Sequence, residues 1–178
     1  MHGNVDPVNK GKARMAPLEY IAQVVLTGIG ATIVMDAWLL FVKTLGAPTL
    51  DYAFVGRWLG HLCRGKFAHA DIRETTPVGG ESALGWAAHY ATGIAFAAGL
   101  AYIQGAGWLR DPTLAPALVA GVATVVVPLF IVQPAMGAGF ASANTPAPAR
   151  NCLRSVVTHT VFGFGLYWSA TVTVWAWK

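Results

Sequence analysis

Apolar residues in this chain are gathered into long runs with polar punctuation between them. Four stretches, about Leu18–Leu45, Ser82–Gln104, Thr113–Ala135 and Cys152–Trp177, stay mostly apolar over span length; a bilayer core needs roughly 20 such residues as a helix. The pattern predicts an all-α membrane protein, a four-transmembrane-helix bundle occupying residues 18–178 behind a polar tail at 1–17. Pro128 interrupts the third run, which a membrane helix tolerates when neighbours satisfy the freed carbonyl. The first run is too long for the apolar core of a signal peptide and reads as a span. Four spans place both termini on one side of the membrane. Tyr20, Trp86, Trp108, Trp175 and Trp177 fall near span ends, as in an interfacial aromatic belt.

The connection from Gly46 to Glu81 is long. Within it, residues 51–64 carry Phe54, Val55, Trp58, Leu59 and Leu62 at helical spacing, with Asp51, Arg57, His61 and Arg64 mostly off that face. This predicts an amphipathic helix, either lying on the membrane surface or packed under the loop against the bundle. The later connection, "GAGFASANTPAPARN", is rich in Gly, Ala and Pro and reads as irregular. The two halves also echo each other. "ATIVMD" at 31–36 resembles "ATVVVP" at 123–128, a Thr-Pro pair precedes both His89 and His159, and "HYATG" resembles "HTVFG". These landmarks in one order suggest a duplicated helical hairpin, an internal repeat of the parallel kind.

Composition agrees with the pattern. The chain is 55% hydrophobic and only 11% charged, where a soluble domain carries about a quarter charged residues. Two cysteines, Cys63 and Cys152, build no disulfide framework. The net charge of +4 fits lipid headgroups and topology better than nucleic acid. The positive-inside rule leans only slightly toward cytoplasmic loops, leaving orientation open.

Three ionisable residues lie well inside spans: Asp36, His89 and His159. Their depths from the loop-side ends, about 10 to 14 Å at 1.5 Å per residue, allow one polar layer. Each sits on a stripe spaced by four that is rich in small residues: Gly28/Thr32/Asp36, Gly85/His89/Gly93 and Ser155/His159/Gly163. Such stripes pack helix on helix. A charge at span centre costs about 2.5 to 3.5 kcal/mol on insertion scales, so Asp36 is expected to face inward toward His89, His159 or both, with Lys43 one helical repeat away.

Three readings of the layer stay open. It can fix the order of the bundle, or handle a proton or small ion with Thr32, Lys43, Gln133 and Asn144 as further lining. Alternatively Asp36, His89 and His159 are metal ligands, or the two histidines clamp a haem b, in a membrane redox subunit. The simplest expectation is no cofactor. No nucleophile with an acid–base partner and no phosphate loop is present, so an enzyme is not expected. His61 and His69 lie near Cys63 and Asp71 and read as a solvated loop rather than a metal site. A small four-span chain suits a homo-oligomer or an assembly partner in the lipid bilayer.

Taken together, "ATIVMDAW", "RWLGHLCRGKF", "GWAAHYATGIAFA", "QPAMGAGFASANTPAP" and "HTVFGFGLY" resemble a family of small bacterial multi-pass membrane proteins catalogued as a domain of unknown function. The resemblance implies a bacterial inner membrane and assigns no activity.

Overall fold

The protein is described by a computed structural model covering residues 15–177; most of the tail expected at 1–17 lies outside the described residues. Among these the chain is all-helical. α1 spans Pro17–Thr44, α2 Tyr52–Leu62, α3 Glu81–Gln104, α4 Ala106–Arg110, α5 Leu114–Ala135 and α6 Pro148–Ala176. α1 and α5 are long and apolar enough to cross a membrane. α3 and α6, at 24 and 29 residues, match a span in length. They are less apolar because Glu81, His89, Tyr90 and Thr92 interrupt one, and Arg150, Asn151, Arg154 and His159 the other.

Local chemistry sets the ends. Pro17 and Pro148 open α1 and α6, where a missing N–H is no loss and φ is already helical. Asp51 caps α2 by accepting from the Ala53 amide at 2.9 Å. α5 is irregular: α-helical over Leu114–Ala123, a π turn over Pro128–Val132, then α-helical again over Gln133–Ala135. Pro128 supplies no N–H to the helical ladder, and the backbone widens around it.

α1 packs on α3 and α6, α5 packs on α6, and α2 packs on α3. The contacts run through small residues. A Cβ on Gly28 would lie 2.8 Å from the Ile94 amide nitrogen, and one on Gly121 would lie 2.6 Å from the amide nitrogen of Gly163. The helices approach backbone to backbone at both places. The main core lies where α1, α3 and α6 meet, around Ala31, Ala97, Leu100, Leu166 and Ala170, with Trp108 and Leu109 of α4 closing one end. Size is sorted the opposite way from a soluble core. α1 buries Gln23, Thr27, Gly28 and Thr32 while it exposes Leu18, Ile21, Ile33, Leu40 and Phe41.

The long connection corrects one expectation. α2 is amphipathic, but Arg57 and His61, expected off its apolar face, are buried at 8% exposure each. α2 crosses α3 so tightly that a Cβ on Gly56 would lie 2.7 Å from the Glu81 carbonyl carbon. This is the packed alternative rather than the surface one. Arg57 turns inward because it has partners there. It donates twice to the Glu81 carboxylate, at 2.7 and 2.9 Å, and to the carbonyls of Ile72, Arg73 and Thr75 at 3.2 to 3.3 Å.

Candidate functional site

Small residues on α1 and α3 bring Asp36 and His89 together. With Gly28 against Ile94 and Thr32 against Gly93, the next turn toward the loops places the Asp36 carboxylate beside the imidazole. The two are 2.9 Å apart, Asp36 Oδ1 to His89 Nε2. A carboxylate only accepts, so His89 Nε2 carries the proton and donates. Tyr90, the next residue on α3, donates its hydroxyl to Asp36 Oδ2 at 3.0 Å. Tyr52 at the start of α2 stacks on the His89 ring at 4.1 Å between centroids, 24° from parallel, and Trp86 meets its edge. The imidazole is therefore held in plane and in tautomer. Side-chain exposure is 9% for His89 and 20% for Asp36.

His159 does not join them. Its Nδ1 lies 2.8 Å from the Thr124 hydroxyl, which itself donates to the Gly121 carbonyl at 2.6 Å. With its hydrogen committed to Gly121, Thr124 accepts from His159 Nδ1–H. The single Asp/His/His layer expected from depth alone thus divides into two bonded pairs, Asp36 with His89 and Thr124 with His159. Among the described residues no three His, Cys, Asp or Glu side chains gather where they could hold a metal ion. The two-histidine, one-carboxylate triad is not built, because His159 turns to Thr124.

Two cavities flank the Asp36–His89 pair. One, of about 260 Å³, is apolar and is lined by Tyr52, Phe96, Phe162, Thr32 and both histidines. The other, of about 520 Å³, is lined by Asp36, Lys43, Asp51, Tyr52 and Trp86. Tyr52 borders both. Lys43, expected as further lining one helical repeat from Asp36, shares this second cavity with it; it is exposed and, among the described residues, forms no ion pair. Gln133 and Asn144, expected as lining, border neither cavity. Gln133 accepts from Ser142 at 2.8 Å, and exposed Asn144 donates to the Gly137 carbonyl at 3.1 Å. Thr32 lines the apolar cavity, with its hydroxyl given to the Gly28 carbonyl at 2.8 Å.

The family model described as "Protein of unknown function (DUF2938)" matches residues 25–173. The chain belongs to that family. No curated protein and no solved structure matches it. The matched stretch takes in both hydrogen-bonded histidine pairs and both flanking cavities.

His61 and His69, expected in a solvated loop, are instead buried. His61 Nδ1 and His69 Nε2 lie 2.8 Å apart, and the outer nitrogens face the carbonyls of Thr76 at 3.0 Å and Ala135 at 3.4 Å. The loop is drawn in because residues 69–72 pair with the end of α5, His69 N to Ala135 O at 2.9 Å and Ile72 N to Met136 O at 3.1 Å. Burial pushes the His69 imidazole below its ordinary pKa, with the Ala135 carbonyl opposing and Lys66 and His61 adding to the fall. Next to it, the Arg73 guanidinium holds the Asp71 carboxyl at about 2. Sequence reasoning passed over Tyr90 and Thr124. Tyr90 gave a signal, being adjacent to His89 in an apolar run, and Thr124 occupies in "ATVVVP" the place of Thr32 in "ATIVMD".

Proposed function

We propose that this protein is a four-span integral protein of a bacterial inner membrane, and that Asp36 and His89 pass a proton between the polar cavity and the apolar one. The observation carrying the proposal is the position of the pair. Asp36 borders one cavity, His89 the other, and a 2.9 Å hydrogen bond joins them. A carboxylate and an imidazole in such contact exchange a proton without either group moving far.

The membrane reading is supported by the outward faces. Leu18, Tyr102, Ile103 and Trp175 are each more than three-quarters exposed, and large apolar side chains on α5 and α6 face outward as well. A surface of that kind belongs in lipid, while the buried Gly, Ala and Thr allow close helix contact there. The duplication reading is supported by crossings within one residue of matching places, Gly28 with the Gly93 region and Gly121 with Gly163. In each hairpin the second helix then presents a histidine to a polar side chain of the first.

The test is proton movement. Purified protein in vesicles with a trapped pH-sensitive dye should dissipate an imposed pH difference, and Asp36→Asn should slow this by roughly tenfold or more. Tyr90→Phe, which removes a donor to Asp36 but not the carboxylate, should have a smaller effect. If folded Asp36→Asn and His89→Gln proteins match the wild type, the pair is structural and the proposal is wrong.

A further inference from the structure

The two histidines differ in their partners but agree in what they leave open. His89 uses Nε2 on Asp36, and His159 uses Nδ1 on Thr124. Among the described residues the remaining nitrogens, Nδ1 of His89 and Nε2 of His159, have no hydrogen-bond partner, and neither is a sealed, unsatisfied atom. Both rings line the apolar cavity. In the neutral tautomers that the bonded sides dictate, each open nitrogen is an acceptor; protonated, each becomes a donor.

The rest of the cavity narrows the ligand class. Among the described residues it is bordered by no Lys, Arg, Asp or Glu. That disfavours a phosphate head, which needs cations, and a sugar, which needs many polar partners. Its walls include Tyr52, Trp58, Phe96 and Phe162. Its volume of about 260 Å³ equals roughly nine waters of liquid, the room taken by one substituted ring. Val127, Pro128, Ile131 and Val132, in and beside the π turn of α5, form one wall, and exposed Leu50 and Ile131 form part of the rim. A chain attached to the ring can leave over that apolar rim.

We propose that this cavity binds the ring head of a lipid-soluble quinone or quinol, with the open nitrogens of His89 and His159 facing its oxygens. This class suits both protonation states of the imidazoles: a quinol hydroxyl donates to neutral histidine, and a quinone carbonyl accepts from protonated histidine. Approach over the rim rests on the membrane reading above, and the Asp36 pathway would bring a proton to the His89 end.

The probe is a short-tailed benzoquinone with a decyl chain, added to purified full-length protein in detergent and measured by equilibrium dialysis. Saturable binding near one per chain is expected, weakened roughly tenfold or more in His159→Leu. The same loss is expected in Ala88→Leu, which fills the cavity without touching a polar group. Val55→Phe is a second filling variant should Ala88→Leu fail to fold, and Tyr102→Leu on the outer surface should bind as wild type. The proposal is overturned by absence of saturable binding to wild type. It is equally overturned if a folded filling variant binds unchanged, or if decylbenzene, which lacks the oxygens, competes as well as the quinone. The proton reading fails separately: quinone binding that persists while Asp36→Asn moves protons like wild type would remove the pathway and leave the ligand.

Discussion

Gly85 separates α3 from the first turn of α2, and replacing it tests whether that crossing holds the His89 site together. A Cβ at Gly85 would lie 2.6 Å from the Tyr52 carbonyl carbon and 3.1 Å from the Gly56 amide nitrogen. Carbon atoms rest at about 3.5 to 4.0 Å, so α2 has to lift by about 1 Å. The obstacle is backbone, which cannot rotate aside. Overpacking of this kind costs about 1 to 3 kcal/mol, and the upper end applies because the lift also loosens the Tyr52 stack on His89 and the Arg57–Glu81 clamp. The control is Gly99→Ala in the same helix, where a Cβ meets nothing within 4 Å. It should be neutral or stabilising by up to about 1 kcal/mol, as alanine is the better helix former. Unfolding in mixed detergent, followed by tryptophan fluorescence with Trp58 and Trp86 beside the crossing, reads both variants. Equal stability of Gly85→Ala and Gly99→Ala, within about 0.5 kcal/mol, would refute the claim that α2 is seated on α3 at this glycine.

Three further predictions address other parts of the molecule. Arg57→Met should lower the melting midpoint by several degrees, since it removes the guanidinium from the Glu81 carboxylate and from three loop carbonyls, two of which, those of Arg73 and Thr75, have no other donor among the described residues; a midpoint unchanged by calorimetry would show the clamp to be ornamental. His69 has a folded pKa below its ordinary value near 6.5. Its contribution is therefore fully present above that pH and is lost as the pH falls toward the folded value. Amide exchange in residues 66–76 should accelerate from pH 7.5 to pH 5.5, after correction for intrinsic rates, and His69→Gln should flatten the dependence; equal slopes in both proteins would contradict the assignment. Thr27 is fully buried with its hydroxyl unpartnered among the described residues. Thr27→Val, nearly the same shape, should stabilise by about 1 kcal/mol, and a loss of that size would reveal a partner for the hydroxyl.

The helices were legible because their cause is local. A run of apolar residues ends where charge or proline begins, and the predicted limits of the long helices fall within a few residues of those observed. The small-residue stripes were legible for the same reason, since a spacing of four is one face of a helix whatever surrounds it. Which stripe meets which was not. Gly85 and Gly93 lie on one line with His89, yet Gly93 receives Thr32 of α1 while Gly85 receives the backbone of α2. Depth along a helix also failed to decide whether His89 or His159 would reach Asp36, because hydrogen-bond reach is finer than one turn. The burial of His69 was illegible because no periodicity marks a loop, and that of His61 because its partner on that loop, His69, could not be placed. The loop that carries His69 is drawn in by backbone pairing with residues 135 and 136, some 65 positions away, and His61 bonds His69 there. Arg57 misled for a physical reason: amphipathic reasoning sends charge to water unless a partner waits inside, and Glu81 waits 24 residues on.

The two hairpins differ at a matched position beside the candidate site, and that difference bears on the function proposed above. Under the duplication proposed above, "ATIVMD" and "ATVVVP" set Asp36 against Pro128. In the first hairpin the position holds a carboxylate that bonds the histidine of the following helix. In the second, no acid is present and His159 takes Thr124, one turn earlier, instead. The proline there opens α5 into a π turn, and residues in and beside that turn line the apolar cavity. The first hairpin thus supplies the titratable pair, and the second adds one wall and a histidine to a cavity that both hairpins line. A bundle in which polar residues only fixed helix order would gain nothing from that division, since either hairpin could have kept the Asp–His bond and stayed regular. The proton and ring site proposed above would use both parts, with the Asp36 carboxylate on one side of the His89 imidazole and the apolar cavity on the other.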